Sequence, residues 1–216
     1  MKKQLIQSLL ALSFVTTSFT PVQAEAVSLR QGADNADVAS LQKNLNTLGY
    51  FTYPRITGYF GIVTKEAVQT FQNDYGLQAD GVVGPITRTA IQHALVKQQM
   101  MQDAKRYIGV PYVLGGATPK GFDCSGFVYF MFSSHGVSAI PRMSSAEYAR
   151  LGSSIDQMHL RPGDLVFFGS NGKINHVGFY LGNRQFISAT SSKGIWISSL
   201  DNPYWAASYI MAKRIY

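Results

Sequence analysis

The sequence predicts an α+β protein of two units: a small helical domain over residues 27–95, then a larger one over 99–216 in which a helix carrying the only cysteine packs on an antiparallel sheet. Three observations lead there. A chain of 216 residues falls between one and two domains at about 150 residues each. Apolar residues recur at helical spacing in the first part, while the last third is written in short β-rich runs separated by Gly or Asn turns. A helix placed before a series of strands is the order of an α+β domain. With 46% hydrophobic and 14% charged residues, the chain has the apolar surface to fold, which excludes a disordered protein.

Charge excludes a second class. The formal net charge is +7, but Lys2 and Lys3 sit at the extreme start and the other basic residues are scattered, with no run longer than Lys105-Arg106 or Lys213-Arg214. That pattern is a solvated basic surface with a mild attraction to an anionic polymer, and it offers no stripe for nucleic acid. Met1-Lys2-Lys3, the apolar stretch Leu5 to Phe19 and the small-residue site Val22-Gln23-Ala24 follow the order of a secretory signal. The apolar part has 15 residues, short of the roughly 20 that span a bilayer. Residues 1–24 are therefore expected to be a signal peptide, leaving a secreted, wall-located protein free of the membrane. A single cysteine excludes an intramolecular disulfide, and an unpaired thiol in an oxidising compartment asks for a chemical role.

In the first domain Val38, Leu41, Leu45 and Leu48 mark a helix, with Asp37 to cap its start and Gly49 to close its end. Two further helices begin with the same phrase, Gly58-Tyr59-Phe60-Gly61 before Thr64 and Gly81-Val82-Val83-Gly84 before Thr87, at an offset of 23 residues. Each Thr hydroxyl is placed to accept an orphan amide at a helix start. With Leu41-Gln42, Leu48-Gly49-Tyr50, Phe71-Gln72 and Asp80-Gly81, this segment resembles the peptidoglycan-binding domain type 1. The resemblance implies a three-helix wall-binding module.

Lys97 to Tyr107 reads as a helix joining the domains without a long linker. Strands follow at Asp164 to Phe168, Ile174 to Leu181, Gln185 to Ala189, Gly194 to Ser199 and Ser208 to Ile215. Cys124 lies in Gly121-Phe122-Asp123-Cys124-Ser125-Gly126, a turn that opens onto an apolar helix stopped by Gly136. A sulfur at the first turn of a helix meets free amides and the positive dipole end, which favour a thiolate. Of the four histidines, His93 belongs to the first domain, His135 borders the helix stop and His159 precedes a turn. His176 stands inside an apolar strand, where an imidazole is costly unless hydrogen-bonded or used.

Pro111-Tyr112 with Gly115-Gly116, Asp123-Cys124-Ser125-Gly126, Pro141-Arg142, Pro162-Gly163-Asp164-Leu165 and His176-Val177-Gly178 together resemble the NlpC-type family of papain-like cell-wall cysteine endopeptidases, over residues 99–216. The resemblance implies a papain-like fold, with Cys124 as nucleophile, His176 as general base and acid, and Tyr112 with the Cys124 amide at the oxyanion. It also places Asp123, Ser125, Arg142 and Ser144 where family members contact a stem peptide. The third polar residue, usually His and sometimes Asn or Gln, falls about twelve positions after the catalytic His, and here that position is Ser188. A hydroxyl is shorter and uncharged, so it is expected to hold the ring through water or to fix its tautomer less firmly.

The activity so implied is hydrolysis of peptidoglycan stem peptides at the γ-D-glutamyl bond to diaminopimelate or lysine, by a monomer that uses neither metal nor cofactor and takes peptidoglycan as its partner. Other readings of the same residues are a catalytically impaired wall-binding protein, a γ-polyglutamate hydrolase and a wall amidase.

Overall fold

The computed structural model describes residues 28–137 and 139–215. The expected signal peptide lies outside them. Three helices build the first unit: α1 (Ala36–Thr47), α2 (Ile62–Asp74) and α3 (Pro85–Ala104). They close over a core of Leu29, Val38, Leu41, Leu45, Phe51, Phe60, Val68, Phe71 and Ile91. The cap of α1 is Asn35, whose side chain accepts the Val38 amide at 3.1 Å, and not Asp37. Asn35 occupies the extended position just outside the first turn, where a side-chain oxygen reaches back to the amides; Asp37 is already inside the turn.

The echoed phrases have a different cause from helix capping. Neither α2 nor α3 has a side-chain cap; Thr64 and Thr87 are buried and accept hydrogen bonds from Gln42 and Gln72 at 2.9 and 3.1 Å. Gln42 also donates to the Tyr59 carbonyl and accepts from the amides of Thr57 and Gly58. Gln72 repeats the pattern with the Val82 carbonyl and the Gly81 amide. Each buried amide thus fastens one glycine turn and the start of the next helix to the helix before it, satisfying backbone groups that would otherwise be buried unpaired.

Helix α3 does not stop where the first unit ends. Its single buried stripe contributes Ile91 and Ala94 to the first core and Met100, Met101 and Ala104 to the second. Lys97, buried between them, packs its stem on the turn at Gly163. The expected joining helix is therefore the second half of a helix that begins at Pro85, extended by a 3₁₀ turn over Lys105–Tyr107. A second link is the Arg161 guanidinium, 4.2 Å above the Tyr75 ring.

The second unit opens with a small ribbon, β1 (Ala117–Thr118) and β2 (Gly121–Phe122), followed by α4 (Cys124–Ser134) and α5 (Ser145–Tyr148). The sheet then comprises β3 (Ser153–Ser154), β4 (Leu165–Ser170), β5 (Lys173–Gly182), β6 (Gln185–Thr190), β7 (Gly194–Ser199) and, after α6 (Pro203–Ser208), β8 (Tyr209–Arg214). Its strand order is β3-β8-β4-β5-β6-β7, antiparallel throughout. Alternation along the strands sends Leu165, Phe167, Val177, Phe179 and Ile187 towards α4, and Val166, Phe168, Tyr180 and Phe186 to the other face, where Trp205 of α6 packs. Among the described residues no helix is long and apolar enough to cross a membrane.

Replacing Gln72 by Leu is expected to lower unfolding stability by about 3 kcal/mol, because it strands the Gly81 amide and the Val82 carbonyl without partners. Urea denaturation followed by circular dichroism would check this; an unchanged midpoint would refute the assigned role of the amide.

Candidate active site

Three local devices position the sulfur. Asp123 caps α4, accepting the Gly126 amide at 2.6 Å, which starts the helix at Cys124. A parallel bridge between Tyr112 and Phe122 brings the Tyr112 strand alongside the residues that lead into Cys124. Gly126 must be glycine, since a Cβ there would lie 1.9 Å from the Gly116 carbonyl oxygen. The helix start is thereby pressed against the preceding loop.

The carboxylate of Asp123 is fully engaged. Besides the cap it accepts the Gly115 amide at 2.8 Å, the Ser125 hydroxyl at 3.0 Å and both contacts of the Arg142 Nη2, at 2.9 and 2.8 Å. Arg142 Nη1 donates to Ser125 Oγ at 2.8 Å and to the Met143 carbonyl. The structure thus gathers three of the predicted contact residues into one closed network around the helix start. It does not bring Ser144 into that network: Ser144 caps α5 in a reciprocal arrangement with Glu147.

On the sheet side, pairing between β5 and β6 ends at Phe179 opposite Ile187. Beyond that point the β5 backbone turns its free groups to the sulfur: the Val177 amide hydrogen-bonds it, and Sγ lies 4.0 Å from the Asn175 carbonyl oxygen. Cys124 therefore touches the peptide groups on both sides of His176. The His176 side chain leaves from the other face of the sheet, opposite Phe168, and its Nε2 meets Ser188 Oγ directly at 2.9 Å. No water is needed to bridge the shorter side chain. The approach requires Gly178, because a Cβ there would come within 3.0 Å of the Ser188 Cβ. Trp205 lies over the imidazole with ring centroids 5.0 Å apart.

Burial governs the protonation of both groups. It pushes the Cys124 thiol up from its ordinary value, outweighing the amides of Val177, Ser125 and Cys124 that pull the other way. It pushes the His176 imidazole from 6.5 down to about 4. The helix start does favour the anion, but removing the sulfur from water is the larger effect, so burial shifts both groups toward their neutral forms. Tyr112 is half-buried, and its hydroxyl is raised by burial first, then by Cys124 and Asp123.

The remaining histidines lie elsewhere. His135 ends α4, its ring between the Met131 carbonyl and Asp103, and His159 is exposed. Two features escaped the sequence reading. Trp205 is carried by α6, which Asn202 and Pro203 announce as a cap followed by a first-turn proline. The contacts of Asn175 and Val177 with the sulfur are backbone contacts and leave no mark in residue type.

A cysteine helix set on an antiparallel sheet, its sulfur against the backbone on either side of a strand histidine whose ring is held by a third polar residue, is the arrangement of a papain-like cysteine hydrolase. Comparison with known proteins agrees. The NlpC/P60 family matches residues 109–214, and a putative peptidoglycan binding domain matches residues 34–91. The chain is 37% identical over 165 residues to a probable endopeptidase NlpC homolog of Haemophilus influenzae, covering 75% of this chain and 88% of that protein. It is 42% identical over 125 residues to the murein DD-endopeptidase MepS/murein LD-carboxypeptidase of Escherichia coli, covering 58% of this chain and 66% of the relative. A gamma-DL-glutamyl hydrolase of Bacillus subtilis is 38% identical over 130 residues, which is 59% of this chain and 31% of that protein. The crystal structure of an NlpC/P60 family protein from Bacillus cereus matches with a TM-score of 0.52 and 33% identity, over 55% of this chain and 39% of that one. The chain belongs to the NlpC/P60 family.

One consequence of the buried imidazole is thermodynamic. Between pH 6.5 and about 4 the unfolded chain takes up a proton on His176 that the folded chain refuses, so this contribution to stability is present above the window and is lost as pH falls through it. The full loss is about 3 kcal/mol. Urea midpoints at both ends of the window should converge for His176→Gln relative to the parent; an identical pH dependence in the two proteins would contradict a buried, neutral ring.

Proposed function

We propose that this protein is a secreted, monomeric cysteine endopeptidase that hydrolyses the peptide stems of peptidoglycan, at the bond between the γ-carboxyl of D-glutamate and diaminopimelate or lysine. The observation that carries the reading is the contact of the Cys124 sulfur with the peptide groups flanking His176, whose far nitrogen is held by Ser188. The names of the relatives, which act on murein and on glutamyl linkages, support the substrate class.

In this mechanism Nε2 donates to Ser188, so the other nitrogen, Nδ1, serves as the unprotonated base. The thiol proton passes to Nδ1 as sulfur bonds to the carbonyl carbon. The oxygen that becomes negative is stabilised by the Tyr112 hydroxyl and the Cys124 amide. Collapse breaks the carbon–nitrogen bond, and the leaving amine takes the proton from His176, leaving a thioester. Water then gives a proton to His176 and its oxygen to the carbonyl; the carbon–sulfur bond breaks, and the proton returns to sulfur. The Asp123–Ser125–Arg142 network holds the helix start in register for these steps. The helical unit over residues 27–95 binds the wall, and residues 1–24 direct export.

Digestion of purified sacculi, with products identified by mass, tests the activity and the bond together. The parent should release fragments ending in γ-D-glutamate. Cys124→Ala should release none, and equal release by both proteins would reject the mechanism. Fragments cut at a D,D bond would instead keep the pair and change the substrate linkage. Ser188→Ala should lower kcat by about tenfold to a hundredfold with little change in KM, since it frees the ring without touching the substrate, and Ser188→Asn should restore most of the rate. Unaltered kcat in Ser188→Ala would remove the hydroxyl from the mechanism.

A further inference from the structure

The reacting pair divides its surroundings into two halves of different character. On the sulfur side lie Tyr112 and the Asp123–Ser125–Arg142 network, whose charged groups are committed to one another. On the imidazole side opens a cavity of about 650 Å³, lined by His176 but by neither Cys124 nor Tyr112. That volume is in the range of small-molecule sites, roughly 300–1,000 Å³.

The lining is unusual for a solvent-facing surface. Trp196 is 42% and Tyr204 70% exposed, so two large aromatic rings are turned in good part to solvent. Lys193 lies with its Nζ 4.9 Å from the centre of the Trp196 ring. Asn202 and several serines supply neutral hydrogen-bonding groups, and among the described residues none that lines the cavity is acidic. A cationic ligand finds no counter-charge there. A carboxylate finds an ammonium group, with aromatic surface for an aliphatic stem.

The chemistry of acyl transfer assigns the halves. When the carbon–nitrogen bond breaks, the acyl part stays on sulfur and the amine part takes its proton from the imidazole, so the departing half lies on the imidazole side. We propose that this cavity is the leaving-group subsite, and that Lys193 there binds a carboxylate of the departing amino acid or short peptide against the face of Trp196. The proposal rests on the endopeptidase reading for its substrate but makes a binding claim of its own.

Both tryptophans of the chain, Trp196 and Trp205, line the cavity, so intrinsic fluorescence reports on it directly. Titration of the Cys124→Ala protein with L-lysyl-D-alanine and with its C-terminal amide, which lacks the carboxylate, tests the claim without turnover. The acid should give a saturable change in emission and bind about tenfold more tightly than the amide. Lys193→Gln should erase that preference and Lys193→Arg should retain it. Equal affinity for acid and amide, a preference that survives Lys193→Gln, or no saturable change would each overturn the proposal. Failure of the parent to cut sacculi, with the Lys193-dependent preference intact, would sink the endopeptidase reading and leave the anion subsite standing.

Discussion

The fork between β5 and β6 is what the rest of the second unit depends on. Two antiparallel strands that paired to their ends would satisfy each other's backbone groups and leave no place for a side chain from elsewhere. Here the ladder stops at Phe179 and Ile187, and the Val177 amide and the Asn175 carbonyl are left facing the start of α4. Buried backbone groups do not remain unpaired cheaply. The Cys124 sulfur, an acceptor and donor in one, takes the position that a strand neighbour would have filled, and the same opening lets Ser188 reach His176 diagonally across the two strands.

That placement explains the state of the pair. A sulfur wedged between strands is removed from water, and so is an imidazole roofed by Trp205 and backed by Phe168. Burial penalises the charged form of each, raising the thiol and lowering the imidazole, so the two shifts move apart and a resting ion pair is disfavoured. The helix start and its amides then matter at a later stage. In the proposed mechanism they are already oriented when charge develops on the substrate oxygen, and pre-aligned dipoles cost no reorganisation at that moment. The Asp123 carboxylate, pinned by Arg142, Ser125 and two amides, keeps that orientation fixed.

Much of this was legible in the sequence, and the parts that were not share a cause. The five β-rich runs between Gly and Asn turns became β4 to β8 with ends shifted by a residue or two, because pattern and turn chemistry are local. Cys124 at a helix start stood out for the same reason, whereas Ser188, at the twelfth position after His176, was reached only through the family resemblance. Missed were properties that only a tertiary neighbour confers. Thr64 and Thr87 look like caps until Gln42 and Gln72 arrive from the preceding helices. The thiol looks like an anion until the strands enclose it. Helix α3 reads as two pieces because the polar Lys97, Gln98 and Gln99 interrupt its apolar rhythm at the point where its buried stripe passes from one core to the other.

The continuity of α3 also bears on how the two units work together. Were they joined by a flexible linker, a wall-binding module would only raise the local concentration of substrate around the cleft. A helix whose one face is buried in both cores leaves no hinge at the junction. Lys97 packed on the Gly163 turn and Arg161 stacked on Tyr75 tie the sheet unit to the helices at further points. Turning one unit against the other would therefore require breaking either the helix or these contacts. On the proposed reading, a module fixed in this way contributes orientation as well as concentration, because a wall strand held by the first unit would meet the cleft from one direction. Orientation of that kind is worth most to an enzyme acting on a meshwork, where the scissile peptide cannot tumble into place on its own.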